Sequence, residues 1–316
     1  MTAIRRLPFA SSVALLLAGG AIALAPLTAT AQRPSPASAP STTFDSARAM
    51  TLVREQVAFG PRPAGSAANA RTRAHIIATL RRYGYSPSEQ SFEAQTPVGR
   101  VRMTNVVATL PGQRSERFLL ASHFDTKPVQ EFRFVGANDG GSSTGALLEL
   151  ARVLKAQPPL PLTTEFVFFD GEEAWGEWVA PNHTYGSRHY VAAARQAGTL
   201  STIRGLVLLD MIGDRSLNVR RDTNSARWMT DVVWSTARRL GHAAHFFDEP
   251  FPVEDDHMPF VEAGVPSLDI IDLDYPAWHT AADTLDQVSP RSLQIVGDVV
   301  LAALPDLHNR ASGARR

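Results

Sequence analysis

The stretch Glu165–Trp178, with the sequence EFVFFDGEEAWGEW, constrains the fold more than any other part of the chain. Residues 166–169 are apolar and mostly aromatic, a composition typical of a strand that is buried on both faces. Two adjacent carboxylates, Glu172 and Glu173, follow at the carboxyl edge of this strand, where open α/β sheets bind their ligands. Because adjacent residues point in different directions, one glutamate can hold a metal while the other faces the reacting atoms. An isolated Glu-Glu pair is more often a solvated turn, so the interpretation depends on the rest of the chain.

Strand and helix patterns alternate on both sides of the stretch Glu165–Trp178, and this alternation predicts a mostly parallel sheet. The predicted strands are 118–122, 165–169, 203–211 and 266–271, and the predicted helices are 143–156, 187–197, 225–240, 256–264 and 290–307. Upstream, we expect one helix capped by Asp45 or Ser46, a second capped by Ser66, and two β-type stretches around 88–94 and 101–110. We find no internal repeat and no second core. The sequence therefore predicts one α/β domain over residues 44–312, with a mixed, mostly parallel central sheet covered by helices on both faces.

Composition gives no support for two classes of partner and excludes cysteine chemistry. The 316 residues carry 31 Lys and Arg against 31 Asp and Glu, so net charge gives no support for binding to nucleic acid or to an anionic membrane surface. The chain contains no cysteine, which excludes disulfides, lipoprotein anchoring and a cysteine nucleophile.

The N-terminal region has the pattern of a secretory signal peptide. Arg5 and Arg6 form a basic segment, residues 11–27 are apolar, and Ala29-Thr30-Ala31 is a small-residue cleavage site. We therefore expect residues 1–31 to be removed, residues 32–43 to form a flexible Pro/Ser/Ala-rich tail, and the protein to be exported to the periplasm or the extracellular space. No stable membrane anchor is expected after cleavage, and the arginine pair leaves the export route open.

A histidine and an aspartate follow the first strand of the alternating region. Positions two apart on a strand share a face, so we expect Asp125 to lie beside His123 and to orient its imidazole. The loop GANDGGSS comes next, with Asp139 at its centre. This loop matches neither GxGxxG nor a Walker sequence, and a carboxylate repels phosphate, so a metal site is favoured over a phosphate site.

Two later residues complete a candidate metal site. Asp210 follows an apolar run, where a charged side chain is expected to be paired or bound to a metal. His279 lies in a loop, where a lone histidine is more often a surface residue. Together with His123, Asp139 and Glu173, these residues can converge on one edge of the sheet. Three nitrogen or oxygen ligands and one open position are the arrangement of catalytic zinc. The chain has no HExxH motif, so the residues alone indicate an exported zinc enzyme of another type, with Glu172 as its proton carrier.

Five motifs occur in an order that is familiar from one family. The set SHFD, ANDGGSS, FFDGEEA, LLDMIG and WHT resembles the zinc aminopeptidases. From about residue 44 to about residue 308, the chain is more closely similar to the secreted glutaminyl-peptide cyclotransferases of that superfamily. This narrower resemblance depends on GPRPAGS, on DGEEAWGEW followed by YGSRH, and on EDDHMPF and AWHT. Each fragment alone is weak evidence, whereas their order and spacing are specific.

The resemblance implies a metal site and an activity. In the family, zinc is held by the residues that match Asp139, Glu173 and His279, and one zinc ion is expected. The implied reaction converts an N-terminal glutamine of a peptide or protein to pyroglutamate and releases ammonia. Peptides and proteins with N-terminal glutamine are then the expected partners, and we expect a monomer.

The resemblance also implies roles for five further residues. Glu172 matches the acid–base residue, and Asp210 and Asp255 match acidic residues that form hydrogen bonds around it. Trp178 and Trp278 match the aromatic residues that shape the substrate pocket, although core packing is an equal alternative for each without the resemblance.

Two alternative functions remain open at this stage, and one position departs from the family pattern. A two-zinc aminopeptidase uses the same frame, with His123 and Asp210 as candidate ligands of the second ion. A non-catalytic binding protein is expected to have lost zinc ligands, and this chain retains them. Asp269 stands where the animal cyclotransferases have histidine, which puts the outer hydrogen-bond network in question. His183, His189 and His257 have no match and are expected to be structural.

The predicted cleavage site generates a test that uses the chain itself. Cleavage after Ala31 leaves Gln32 as the first residue, and the resemblance makes an N-terminal glutamine a substrate. We therefore expect the exported protein to carry pyroglutamate at position 32, seen by intact-mass measurement as a chain lighter by one ammonia. The exported Glu172→Gln variant should keep the ammonia, because uncatalysed cyclisation is slow. A different first residue, an unmodified Gln32, or the same loss in both proteins would contradict this expectation.

Overall fold

The computed structural model describes residues 42–313 together with Ala14. The predicted signal peptide, apart from Ala14, and residues 32–41 of the predicted tail lie outside the described residues. In the part of the chain that is described, no helix has the length and apolar character needed to cross a membrane.

The described chain alternates helices and strands much as the sequence predicts. The helices are α1 Ser46–Val57, α2 Ala67–Arg82, α3 Gly141–Lys155, α4 Tyr185–Gln196, α5 Arg227–Arg239, α6 Met258–Glu262 and α7 Pro290–Gly313. The strands are β1 Ser88–Thr96, β2 Gly99–Leu110, β3 Arg114–His123, β4 Leu162–Phe169, β5 Ile203–Asp210, β6 Val219–Asp222, β7 Phe246–Phe251 and β8 Ser267–Ile271. Both predicted N-caps are confirmed, because the Asp45 carboxylate accepts hydrogen bonds from two backbone N–H groups at the start of α1 and the Ser66 hydroxyl accepts one at the start of α2.

Six strands form the central sheet in the order β1-β2-β4-β3-β5-β8. Strands β4, β3, β5 and β8 are mutually parallel, whereas β2 runs antiparallel to β4 and β1 antiparallel to β2. The mixed, mostly parallel sheet is therefore confirmed. The parallel arrangement brings the carboxyl ends of β3, β4 and β5 to the same edge, which is where the candidate site residues follow these strands.

Helices cover the sheet on both faces, as expected, and strand β3 shows how. Phe118 and Leu120 belong to an apolar core shared with α1, α3, α5 and α7, whereas Leu119 and Ala121 belong to a second core shared with α4 and α6. All four side chains are fully buried. Successive side chains of a strand point to opposite faces, so a strand between two helical layers must be apolar at every position.

Strands β6 and β7 were not predicted. They pair with each other in a separate two-stranded parallel sheet. Their sequences, VRRD and FFDEPF, contain charged residues and a proline, and five of the six residues of β7 are exposed. Such short, polar strands are stabilised by mutual pairing more than by burial, so no apolar period identifies them.

A buried arginine connects the N-terminal part of the chain to the loop that carries Asp139. The Arg62 side chain of the GPRPAGS segment has no solvent exposure. Its guanidinium donates hydrogen bonds to the backbone carbonyls of Phe124, Val135, Gly136 and Asp139 at 2.5–3.3 Å. Burial lowers the pKa of Arg62 to about 10, so the group is still charged at neutral pH. The segment is thus a structural brace for the loop.

Replacing Arg62 with methionine should destabilise the fold. Methionine fills much of the same volume but leaves the four carbonyls without donors, and we expect a loss of about 3 kcal/mol in the free energy of unfolding. Denaturant unfolding of both proteins measures this loss. Arg71→Met is the control, because Arg71 is exposed and its substitution should change the same free energy by less than about 0.5 kcal/mol. Equal stabilities of the two variants would show that Arg62 does not brace the loop.

Candidate metal centre and adjoining pocket

Three side chains converge as a compact ligand set at the carboxyl edge of the sheet. Asp139, Glu173 and His279 each offer one ligand atom, and these atoms lie within 4.8 Å of one another. The Nε2 atom of His279 is 3.4 Å from Oδ2 of Asp139 and 3.3 Å from Oε2 of Glu173. Both oxygens are buried and receive no hydrogen bond from the described residues. Two unbonded carboxylate oxygens facing an imidazole nitrogen fit a zinc ion in both donor chemistry and ligand number.

The charge states within this set are strongly coupled. Burial, followed by the nearby charge of Asp139, raises the pKa of Glu173 to about 7. Burial opposes protonation of His279, but contact with the Asp139 and Glu173 carboxylates raises its pKa to about 9. Burial also opposes ionisation of Asp139, yet its contacts with His123 and His279 hold its pKa below the ordinary value. The set therefore concentrates negative charge around a position that favours a cation.

The loop that presents Asp139 has no room for a side chain at Gly140. Gly140 has a φ of +69°, and a Cβ atom at this position would lie 2.8 Å from Cε1 of His123. Asp283 holds the loop from the other side, because its carboxylate accepts hydrogen bonds from the backbone N–H groups of Asn138 at 2.8 Å and Asp139 at 3.1 Å. Asp283 was not predicted, because a single acidic residue in a polar loop carries no signal in the sequence.

The Glu-Glu turn is held by residues that directly follow strand β3. The Asp125 carboxylate accepts the backbone N–H groups of Glu172 at 3.1 Å and Glu173 at 3.2 Å. Its Oδ1 atom also lies 3.5 Å from Nδ1 of His123, as the spacing predicts. The backbone N–H of Lys127 donates to Oε1 of Glu173 at 2.9 Å, and the lysine Nζ lies 3.8 Å from Oε2. The position of Lys127, and the second role of Asp125, were not predicted.

The two glutamates of the turn face different groups. Glu173 faces Asp139 and His279, whereas Oε2 of Glu172 lies 3.7 Å from Nδ1 of His123. Glu172 is buried, and burial raises its pKa well above the ordinary value. A carboxyl group with a raised pKa beside a metal-type ligand set is suited to carrying a proton.

A second ligand set adjoins the first and shares Asp139. It consists of His123, Asp139 and Asp210. The Nε2 atom of His123 is 3.3 Å from Oδ1 of Asp139 and 3.1 Å from Oδ1 of Asp210. Asp139 thus offers one oxygen to each set, which is the position of a bridging carboxylate. The geometry accommodates one ion or two.

His279 is held in an uncommon backbone conformation. Its φ is +52°, in the left-handed region that non-glycine residues seldom adopt. Trp278 stacks on the imidazole with ring centroids 4.4 Å apart, and Phe134 packs against it edge to face at 6.0 Å. The aromatic neighbours fix the direction of this imidazole.

A pocket of about 570 Å³ opens over the first ligand set, and Asp210 of the second set also lines it. It is lined by all eight residues that the resemblance assigns to metal, catalysis or substrate: Asp139, Glu172, Glu173, Trp178, Asp210, Asp255, Trp278 and His279. Trp278 is 44% exposed at the mouth, so it is not a core residue. Trp178 is half-buried and stacks on His183 with centroids 4.2 Å apart. His183, expected to be structural, therefore supports a pocket wall, which its sequence surroundings do not reveal.

Behind the pocket lies a group of buried acidic residues around His257. Its Nε2 atom is 3.2 Å from Asp222 and its Nδ1 atom 3.7 Å from Asp269, and all three side chains are fully enclosed. Burial and then the charge of Asp210 raise the pKa of Asp255 to about 7. Burial and then the charge of Asp255 raise the pKa of Asp269 well above its ordinary value. Position 269, where the resemblance leads us to expect a histidine, is thus a buried aspartate with the imidazole of His257 beside it.

One pattern that suggests a serine nucleophile does not form a catalytic site. The sequence GSSTG, residues 141–145, matches the G-x-S-x-G pattern of serine hydrolases. Ser143 lies in the first turn of α3, is fully buried, and its hydroxyl has no hydrogen-bond partner among the described residues. A nucleophile elbow requires an exposed hydroxyl beside a base, so this match is excluded.

The chain has homologues of known type. The model of peptidase family M28 matches residues 105–304. A glutaminyl-peptide cyclotransferase-like protein of Mus musculus is 33% identical over 274 residues, covering 78% of this chain and 72% of that protein.

Solved structures give the same result for the fold. The crystal structure of an Acidobacteriales bacterium glutaminyl cyclase has a TM-score of 0.82 and 40% identity, covering 89% of this chain and 100% of that one. A Porphyromonas gingivalis glutaminyl cyclase has a TM-score of 0.79 and 31% identity, covering 84% and 99%. The chain therefore belongs to peptidase family M28, and its relatives within that family include the glutaminyl-peptide cyclotransferases.

Proposed function

We propose that this protein is a zinc-dependent glutaminyl-peptide cyclotransferase, which converts N-terminal glutamine to pyroglutamate and releases ammonia. The observation that carries the proposal is the pocket floor, where a metal-type ligand set adjoins the buried carboxyl group of Glu172. The three relatives reported above are named as glutaminyl cyclases or as a cyclotransferase-like protein, and these names support the same reaction.

Asp139, Glu173 and His279 are the proposed zinc ligands. When bound, zinc supplies Lewis-acid polarisation of the γ-carbonyl group of the substrate glutamine. Asp139 and Glu173 each present a buried oxygen that receives no hydrogen bond from the described residues, and Nε2 of His279 lies within 3.4 Å of both oxygens. Lys127 and Asp125 hold the Glu173 side chain and backbone in place.

Glu172 is the proposed proton carrier. The α-amine of the substrate attacks its own γ-carbonyl carbon, the carbon–nitrogen bond of the side-chain amide breaks, and the amide nitrogen leaves as ammonia. Glu172 takes the proton that the amine loses and delivers it to the leaving nitrogen. Its burial favours the protonated form and so makes the delivery step easier. Asp210 and Asp255, which line the same pocket, are proposed to hold hydrogen bonds around it.

The pocket walls are proposed to fold the substrate. Because the nucleophile and the electrophile belong to one residue, catalysis requires that the glutamine side chain be bent back on its own amine. Trp178, braced by His183, and Trp278, stacked on His279, offer two flat apolar walls over the ligand set. The two tryptophans also exclude water from the γ-carbonyl group of the substrate, which strengthens the electrostatic contacts that this group makes.

A two-zinc aminopeptidase is the second candidate, and the ligand set His123, Asp139 and Asp210 favours it. That enzyme hydrolyses the peptide bond after the first residue and needs an activated water. We place it second because the relatives reported above are named for cyclisation.

We also propose export, on the basis of the residue pattern in positions 1–31. The activity then takes place outside the cytoplasm, on peptides whose N-terminus is free after processing.

Glu172→Gln should abolish turnover and leave bound zinc unchanged. Glutamine keeps the volume but cannot take up and release a proton near neutral pH, so ammonia release from a glutaminyl peptide should fall by at least about 100-fold. Metal analysis of the same sample should give the zinc content of the wild type. Glu177→Gln, an exposed glutamate of the same segment, is the matched control and should be fully active. Loss of zinc along with activity would reverse the assigned roles of Glu172 and Glu173. Hydrolysis of aminoacyl-anilides by the wild type without ammonia release would favour the aminopeptidase.

The two ligand sets can be separated by alanine variants. Glu173→Ala and His279→Ala each remove a ligand that belongs to the first set alone, so each should lose zinc and activity together. His123→Ala removes a ligand of the second set alone and should retain its zinc if one ion is bound. Zinc content per chain and circular dichroism are measured on all three. Comparable zinc loss from folded His123→Ala would indicate a two-ion centre.

A further inference from the structure

The exposed apolar side chains of this protein are concentrated around the site. Among residues 42–313, seven large apolar side chains are exposed: Val98, Phe132, Val179, Leu240, Phe247, Phe251 and Trp278. Two of them, Phe251 and Trp278, line the pocket over the candidate metal ligands, and two others, Val98 and Phe132, line a second groove. Single exposed apolar residues are common, but a group of them around a pocket marks a binding surface.

The second groove has a volume of about 440 Å³ and is open along one side. Its apolar walls are Val98, Phe132 and Trp175. Gln130 and Glu131 provide a polar edge. We call this feature the side groove.

The side groove continues from the pocket. Lys127, Gly176 and His279 line both. A ligand bound over His279 therefore has a direct path into the side groove, with Gly176 leaving the passage free of a side chain. The ligand set lies at one end of this path and the apolar walls lie at the other.

The walls of the side groove are built before any ligand binds. Val98 is at the turn between β1 and β2, which Thr96 braces by donating to the carbonyl of Gly99 at 2.7 Å and accepting the N–H of Val98 at 3.3 Å. Trp175 packs edge to face on Tyr185 at 6.0 Å. A preformed apolar wall binds without the entropy loss of ordering itself.

We propose that the side groove binds the residues that follow the N-terminal glutamine of the substrate, and that it selects peptides with apolar side chains there. This inference rests on the proposed function. Once the glutamine side chain and amine face the ligand set, the rest of the peptide must leave the pocket as an extended chain. The passage by His279 takes it over Trp175, between Val98 and Phe132. Glu131 at the edge repels acidic residues at the same positions, whereas the cation of Lys127, which also lines the groove, lies 3.8 Å from the carboxylate of Glu173 and is paired there.

The experiment compares substrates of different length and polarity on the zinc-loaded enzyme. Ammonia release is measured for glutamine amide, which has no following residue, and for Gln-Phe-Phe-Ala-amide, Gln-Ser-Ser-Ala-amide and Gln-Glu-Glu-Ala-amide. We expect kcat/KM to be highest for the Phe peptide and lowest for the Glu peptide.

Variants of the side groove then test whether this groove causes the preference for the Phe peptide. Phe132→Ser should lower kcat/KM for the Phe peptide by about fivefold to tenfold, the effect of losing part of one apolar contact, and leave glutamine amide unchanged. Phe247→Ser is the matched control, because Phe247 is 37% exposed against 36% for Phe132 and lines neither cavity. Val98→Ser, at a 65% exposed position, is the second variant should Phe132→Ser fail to fold.

The outcomes separate this inference from the proposed function. If the enzyme releases ammonia from none of the substrates, glutamine amide included, the proposed function and the side-groove inference are both overturned. Turnover of glutamine amide with equal kcat/KM for the three peptides overturns the side groove alone, as does an equal loss for Phe132→Ser and Phe247→Ser. If the groove instead joins two copies of the chain, Phe132→Ser will change the mass measured by light scattering and affect all substrates alike, which also overturns the inference.

Discussion

At the carboxyl edge of the sheet, buried carboxylates outnumber the buried cations that could neutralise them. The described residues buried there include Asp125, Asp139, Asp170, Glu172, Glu173, Asp210, Asp255, Asp256 and Asp269. Arg62 is the fully buried cation beside them, and burial raises the pKa of several of these acids, Glu173 and Asp255 to about 7. An arrangement of this kind is expensive without a counter-charge, so it is found where a metal or a proton is part of the chemistry. The two candidate ligand sets and the raised pKa of Glu172 both follow from this one electrostatic condition.

The protein holds this repelling group together mainly through backbone contacts. Arg62 binds carbonyls on one side of the Asp139 loop, Asp283 binds N–H groups on the other, and Asp125 binds the N–H groups of the Glu-Glu turn. These contacts fix the backbone from which the ligands project and leave the ligand oxygens themselves unbonded. A preorganised site requires this arrangement, in which hydrogen bonds hold the backbone and the carboxylate oxygens at the centre have no hydrogen bond.

Most of the fold could be predicted because the periodic signals are strong. Strands β3, β4, β5 and β8 are apolar on both faces, and the caps at Asp45 and Ser66 use residue types with a direct hydrogen-bonding role. The short polar strands β6 and β7 carry no such period and were missed. The eight predicted site residues come from the motifs and their order, and the structure brings all eight to one pocket, while their roles stay a prediction.

The supporting residues could not be predicted for a physical reason. Asp283, Lys127 and His183 act through position alone: one accepts backbone N–H groups, one donates its own, and one lies flat beneath Trp178. Such roles depend on tertiary contacts between distant segments, and nothing in the local sequence of these residues distinguishes them from ordinary loop residues.

The two supports of the Asp139 loop have a consequence for how the protein is made. Arg62 precedes Asp139 by 77 positions and Asp283 follows it by 144, so the loop is fixed by residues from opposite ends of the chain. A ribosome releases the chain from its N-terminus, and Arg62 is therefore available long before Asp283 and His279 emerge. Until then the growing polypeptide has two of the three proposed ligands and an incompletely held loop. Because His279 is the last of the three proposed ligands to be made, the proposed centre can be complete only after translation has passed this residue, and a shorter nascent chain has no full ligand set with which to capture the wrong ion.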